Sequence, residues 1–179
     1  MFSIAILIGI YSYIIFLLGL LGHFYKETII LTSLIWLLTV FFLIRGKLNA
    51  YKLKDKIVSF IRRTPRLGLV FLSLIFIQSV VNLVGVLGPE LGFDALWYHL
   101  TFPKIFLEMH RVVHIPGSLL YYSDMPKLTE MLYASALSFG TETMAKFMHF
   151  SFGILSLVAL YNLSRKFLSK TFSIVVIVL

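Results

Sequence analysis

Asp94, Tyr98 and His99 stand within six residues of one another and form the first place in this sequence where proton-transfer chemistry can be read. A hydroxyl that attacks a carbon centre must lose its proton, and an ionised carboxylate within hydrogen-bond reach is the natural acceptor. Asp94 is therefore a candidate general base. Its competing role is to cap the helix that follows, for which Asp is among the favoured residues. Lys104, Arg111 and Lys127 are the Lys and Arg residues of the same 88–142 stretch. A phosphate leaving group gains negative charge as its bond breaks, and such cations can stabilise it. Tyr98 and His99 could order an acceptor or sit at headgroup level as amphipathic rings. Asp124 is a candidate helix cap or a polar group on the substrate side. His110 and His114 are four apart, a zinc-compatible spacing only on a helix. The β-branched Val112, Val113 and Ile115, with Pro116 behind them, argue against a helix there. No metal ligand is assigned, and no cofactor follows from the residues.

The elements around these groups are membrane elements. Hydrophobic residues make up 59% of the chain and charged residues 13%, against roughly half and a quarter in soluble domains. An ordinary soluble globule is excluded. With no Cys, the chain builds neither disulfides nor thiolate metal sites. Residues 2–21, 28–44, 67–87 and 143–163 are apolar runs of about the length that crosses a bilayer core. The net charge of +8 is concentrated between the spans and points to a membrane, not to nucleic acid. Arg45, Lys47, Lys52, Lys54, Lys56, Arg62, Arg63 and Arg66 face only Asp55 between the second and third spans, and Arg165, Lys166 and Lys170 follow the fourth. The positive-inside rule then puts the N-terminus in the cytoplasm and the 88–142 loop outside, with the plasma membrane the expected location. Within the third span Gln78 and Asn82 share a face, for interhelical hydrogen bonds or a substrate-facing surface.

The 88–142 loop is too interrupted to cross the bilayer, and its pattern predicts two interfacial amphipathic helices. One covers 94–110, where Pro103 implies a kink or a fresh start capped by Thr101. The other runs from about Pro126 to Phe139, capped by Ser123 or Asp124 and ended by a left-handed Gly140. Trp97, Tyr98, Tyr121, Tyr122 and Tyr133 suit an interface. Lys146 and His149 read as snorkelling side chains at the outer end of the fourth span. The run from Thr171 stops after about half a crossing, so the sequence is expected to be the N-terminal part of a longer protein.

Residues 93–170 resemble the first outer loop and following helix of the GT-C membrane glycosyltransferases, of the dolichyl-phosphate-mannose protein mannosyltransferase and aminoarabinose transferase type. The matching pieces are Gly92-Phe93-Asp94-Ala95-Leu96-Trp97-Tyr98-His99-Leu100, Pro103-Lys104, Tyr122-Ser123-Asp124-Met125-Pro126-Lys127-Leu128-Thr129-Glu130-Met131-Leu132 and Glu142-Thr143-Met144-Ala145-Lys146-Phe147-Met148-His149. The resemblance implies inverting transfer of a sugar from a polyprenyl-phosphate donor to a glycan, lipid or protein acceptor. The lipid-linked sugar would be a substrate, not a cofactor, and membrane lipids the surrounding partner. The outer-loop acid of that family falls on Asp94. Two positions depart from the family pattern: Phe93 stands where a second acid is frequent, and Met125 where several relatives have Lys before proline.

The expected architecture is thus an all-α polytopic transmembrane bundle with an external loop of two interfacial helices. Residues 1–66 hold two spans and the basic loop, and 67–179 the start of a transferase-like core: span 67–87, loop 88–142, span 143–163 and an incomplete span from 171. Alone it is expected to be inactive, because a donor site between spans needs further helices. Two other readings are open. A transporter or channel component would carry intramembrane charges along a pathway, whereas the spans contain no acid and only Lys146 as a base. A non-catalytic membrane scaffold is the other.

Overall fold

The computed structural model describes residues 2–45, 50–116, 123–125 and 127–178. Lys47, Tyr121, Tyr122, Pro126 and Leu179 lie outside the described residues. The described elements are helical: α1 (Phe2–Leu20), α2 (Lys26–Ile44), α3 (Ala50–Arg62), α4 (Arg66–Leu87), α5 (Thr101–Met109), α6 (Leu128–Phe139), α7 (Glu142–Ser164) and α8 (Lys170–Val176). A π-helical turn, Ala95–His99, leads into α5. Among the described residues, α1, α2, α4 and α7 are long and apolar enough to cross a membrane. Large side chains such as Leu38, Phe42, Val70, Phe76 and Val84 are exposed along them. Exposed apolar side chains on helices of this length are compatible with an integral membrane protein.

The chain forms two compact units, residues 1–40 with 88–148, and residues 41–87 with 149–179. In the first, α6 packs against α1 and α5. Phe102 and Phe106 stack with ring centroids 6.2 Å apart and share a core with Ile15, Ile29, Met131 and Ala134. The α1 end explains part of this packing. Gly22 is left-handed, with φ +75°, so the His23 N–H reaches the Leu18 carbonyl at 2.9 Å and Gly22 N–H reaches Gly19. That double closure satisfies carbonyls that the helix end would otherwise orphan. The chain then meets the 88–142 segment: Phe24 N–H donates to the His110 carbonyl and Val112 N–H to the Gly19 carbonyl, each at 3.0 Å. A Cβ on Gly19 would lie 2.5 Å from the Val112 Cγ2. Gly19→Ala is expected to cost about 1–3 kcal/mol, read as a fall in thermal stability in mild detergent. A stability equal to wild type would show that Val112 yields freely.

The second loop helix departs from the amphipathic expectation. In α6 every residue from Glu130 to Ser138 is buried, so it is a packed helix and not one lying on a surface. Neither proposed cap acts at its start. Lys127 holds the cap position without a side-chain bond, while the Ser123 hydroxyl accepts from the Ile115 N–H at 3.2 Å. Gly140 has φ −178°, an extended value, so its end needs no left-handed residue. Thr101 does not cap α5 either; its hydroxyl donates back to the Leu96 carbonyl within the π turn. Pro103 occupies the first turn of α5, where no N–H is needed for the helix ladder. It also deprives the His99 carbonyl of its usual partner, a physical reason for the wider turn at 95–99.

In the second unit α4 packs on α8. Gly68 makes the close approach possible: its Cβ would lie 3.2 Å from Ile174 Cδ1 and 2.8 Å from Thr64 Cγ2. The polar pair on α4 is satisfied within that helix, Gln78 Nε2 donating to Asn82 Oδ1 at 2.9 Å on an exposed face, so this bond is not interhelical. The basic 45–66 stretch, expected as a loop from its charge, holds the helix α3.

Candidate functional site

The 92–100 segment sets the site. Leu96 N–H bonds the Gly92 carbonyl at 3.0 Å and Leu100 N–H the Ala95 carbonyl at 2.9 Å, so one residue is accommodated extra in the turn. Such π turns are over-represented at functional positions. Asp94 precedes the turn with helical φ and ψ of −64° and −36° and makes no capping hydrogen bond. The cap role weighed for it is not what the structure contains. Its side chain is exposed.

The acids of the 88–142 segment separate by their partners. Glu90 Oε1 accepts from the Gly92 N–H at 2.7 Å and from Leu91 N–H at 3.0 Å. Glu130 accepts from His99 Nδ1 at 2.7 Å, Glu142 pairs with the Lys104 ammonium, and Asp124 accepts from His114 Nδ1 at 2.8 Å. Asp94 and Glu108, both exposed, have no hydrogen-bonding or ion-pair partner among the described residues. A carboxylate so placed is the kind that can take a proton from an incoming hydroxyl.

Asp94, whose charge reaches Tyr98, is followed in the turn by a group of rings that meets one buried acid. Glu130 is 6% exposed, and an unpaired carboxylate at that depth would be costly. The His99 bond supplies the partner, and Tyr98 and Tyr133 flank the imidazole at ring separations of 4.1 and 6.1 Å. Partial burial pushes the Tyr98 hydroxyl above its ordinary pKa, and the charges of Asp94 and Glu130 push the same way. Burial likewise raises Tyr133, helped by Glu130 and then Glu90. Both phenols are therefore neutral hydrogen-bond donors at physiological pH. Asp94, Glu130 and Glu90 act on this one pair of tyrosines, so they share a region.

Glu90, whose charge reaches Tyr133, also lines a cleft of about 630 Å³ with, among others, Lys26, Lys104, Lys146, Glu108 and Glu142. Lys146 Nζ donates to the Gly88 carbonyl at 2.8 Å, holding the exit from α4 against the start of α7. This replaces the snorkelling expected of it. The cleft mixes ammonium and carboxylate groups with the apolar Leu107 and Leu137, a surface able to hold a ligand with a charged head and an apolar body.

The remaining residues singled out from the sequence are not gathered there. Lys127 Nζ donates to the Met125 carbonyl at 3.2 Å, and burial pulls its pKa down against the opposing charges of Asp124 and Glu130. The His114 hydrogen bond holds the Asp124 carboxyl below its ordinary pKa. Arg111 is exposed at the end of α5. His110 is left-handed, with φ 57°, a conformation few side chains adopt cheaply. Its ring stacks on Tyr25 at 4.0 Å, and it is not on a helix shared with His114. Among the described residues no three His, Asp or Glu side chains gather as a metal-ligand set.

Sequence reasoning gave no role to Glu130, Glu142 or Glu90. Glu130 had a signal in hindsight, an acid inside an otherwise apolar run from Leu128 to Leu137, which demands a partner once packed. The Glu142 and Glu90 contacts come from residues distant in sequence or from a local turn and carry no pattern. No protein-family model, characterised protein or solved structure matches the chain.

Proposed function

We propose that the chain belongs to a membrane glycosyltransferase that moves a sugar from a polyprenyl-phosphate donor to a hydroxyl acceptor at the outer membrane face. The observation that carries the reading is the exposed Asp94 carboxylate at the head of a π turn, without a hydrogen-bond or ion-pair partner among the described residues, its charge reaching the same Tyr98 as that of Glu130. Asp94 takes the acceptor proton as the acceptor oxygen bonds to the anomeric carbon. The bond from that carbon to the phosphate oxygen breaks, and the polyprenyl phosphate leaves with the electron pair, inverting the centre. His99 and Tyr98 order the acceptor. Lys104 and Lys146, in the neighbouring cleft, offset the charge on the departing phosphate. Arg111 and Lys127 contribute at most to the field around it, because neither lines the cleft. Membranes containing the full-length protein, given a radiolabelled polyprenyl-phosphate sugar, should transfer label to endogenous acceptors. Label that stays wholly on the donor, across several sugars, would count against transfer.

Orientation is part of the same proposal and rests on the basic residues that flank α2, α4 and α7. The α1–α2 link and the 88–142 segment hydrogen-bond to each other, which requires them to lie on one side. Leu91 is 82% exposed, and the chain has no native Cys. Leu91→Cys should react with an impermeant thiol reagent from outside intact cells, and Ser59→Cys only after permeabilisation. The reverse pattern would place the cleft in the cytoplasm and remove the basis for an external donor.

A further inference from the structure

In the 41–87 and 149–179 unit, the Lys and Arg side chains are opposed by a single carboxylate, Asp55. Three of these cations come from separate places in the sequence: Arg63 after α3, Arg165 after α7 and Lys170 at the start of α8. The Lys170 ammonium donates to the Phe60 carbonyl at 2.6 Å and lies 4.1 Å from the centroid of the Phe60 ring. That ring packs edge-on against Tyr161, with centroids 5.6 Å apart. Arg165 folds its guanidinium onto the Leu168 carbonyl. Neither Arg165 nor Lys170 has a carboxylate partner among the described residues. The positive charges crowd one another: after burial, Arg165 and then Arg63 lower the pKa of Lys170. Holding like charges together costs free energy that an anion would return. Close in sequence to these cations and to Phe60, large apolar side chains are exposed. Ile57 is 52% exposed, Ile61 50%, Phe167 80% and Phe172 65%. Cations beside exposed aliphatic and aromatic groups match a phospholipid, whose phosphate and acyl chains meet at the same level.

We infer that Arg63, Arg165 and Lys170 form a binding site for the phosphate of an anionic phospholipid, with Ile57, Ile61, Phe167 and Phe172 against its acyl region. This inference does not depend on glycosyl transfer; it needs only a chain embedded in a membrane. A merely topological role for these cations needs no convergence in space and no lipid preference.

The whole chain in an uncharged detergent, titrated with dioleoyl-phosphatidylglycerol or dioleoyl-phosphatidylcholine and followed by thermal shift, tests it. A cation near an anionic headgroup contributes about 1 kcal/mol, so three should give half-saturation by phosphatidylglycerol about a hundred-fold below phosphatidylcholine. The preference should shrink strongly at about 1 M salt, where screening falls to roughly 3 Å. Inorganic phosphate at the same concentration should produce no comparable shift. Arg63→Gln/Arg165→Gln/Lys170→Gln should abolish the preference, whereas Lys54→Gln/Lys56→Gln on α3 should keep most of it. Equal response of the wild type to the two lipids overturns the site whatever the variants do. Equal loss in both variants overturns the assignment to these three residues, and an equal shift with inorganic phosphate overturns the lipid as ligand.

Discussion

Phe106→Ala should destabilise the protein by about 3–5 kcal/mol, the range for removing a buried aromatic side chain. Phe106 is 0% exposed and lies where α5 meets α6 and α1, stacked on Phe102 and in one core with Ile15 and Met131. Truncation leaves a void that Ala134 is too small to fill, so the neighbours lose contact energy outright. The loss should reach beyond α5. His110, whose carbonyl receives the Phe24 N–H, and the Gly19–Val112 approach both depend on where α5 ends. Thermal unfolding in mild detergent, with protease sensitivity of the 88–142 segment, reads the effect. Phe106→Leu restores much of the volume and should recover more than half the loss. If Phe106→Ala unfolds like wild type, the 88–142 segment does not share a core with α1, and the candidate site has no fixed support.

The membrane helices were legible because their signal is one-dimensional. Apolar runs of sufficient length bounded by polar residues require no partner to be recognised, and the edges expected for all four spans fall within two residues of those of α1, α2, α4 and α7. The loop was less legible for a physical reason. Caps at Thr101, Ser123 and Asp124 are local choices, and each side chain found a different partner once the chain folded: Leu96, Ile115 and His114. Those bonds cover five to ten residues and depend on how the backbone turns. The helix α3 was hidden by its charge. Lys54, Asp55, Lys56 and Arg62 mark a loop by composition, while Ile57, Val58 and Ile61 give the helical spacing. Asp94 was visible by type alone, while its lack of a cap bond follows from how the chain enters the π turn. Glu130 shows the opposite case: its burial, and hence its need for His99, arises from α6 packing on α1 and α5.

Asp94→Asn should reduce sugar transfer about a hundred-fold or more, the scale of general-base loss, with little change in stability. Asn keeps the size of the side chain and is also a good cap, but it cannot accept the proton. The structure sharpens the comparison, because Asp94 makes no capping bond and its loss has no structural route to inactivity. Glu90→Gln is a poor control: Glu90 holds the Leu91 and Gly92 N–H groups, so a change there alters the backbone leading to Asp94. Glu108→Gln is the informative one, since Glu108 is the other exposed acid of the segment without a partner among the described residues and lines the cleft. The decisive measurement is the initial rate of label transfer from a polyprenyl-phosphate sugar in membranes carrying equal amounts of the full-length protein as wild type, Asp94→Asn or Glu108→Gln. A loss of about a hundred-fold or more for Asp94→Asn beside a change of less than about five-fold for Glu108→Gln is the predicted result. Full transfer by Asp94→Asn, or a loss confined to Glu108→Gln, would contradict Asp94 as the base.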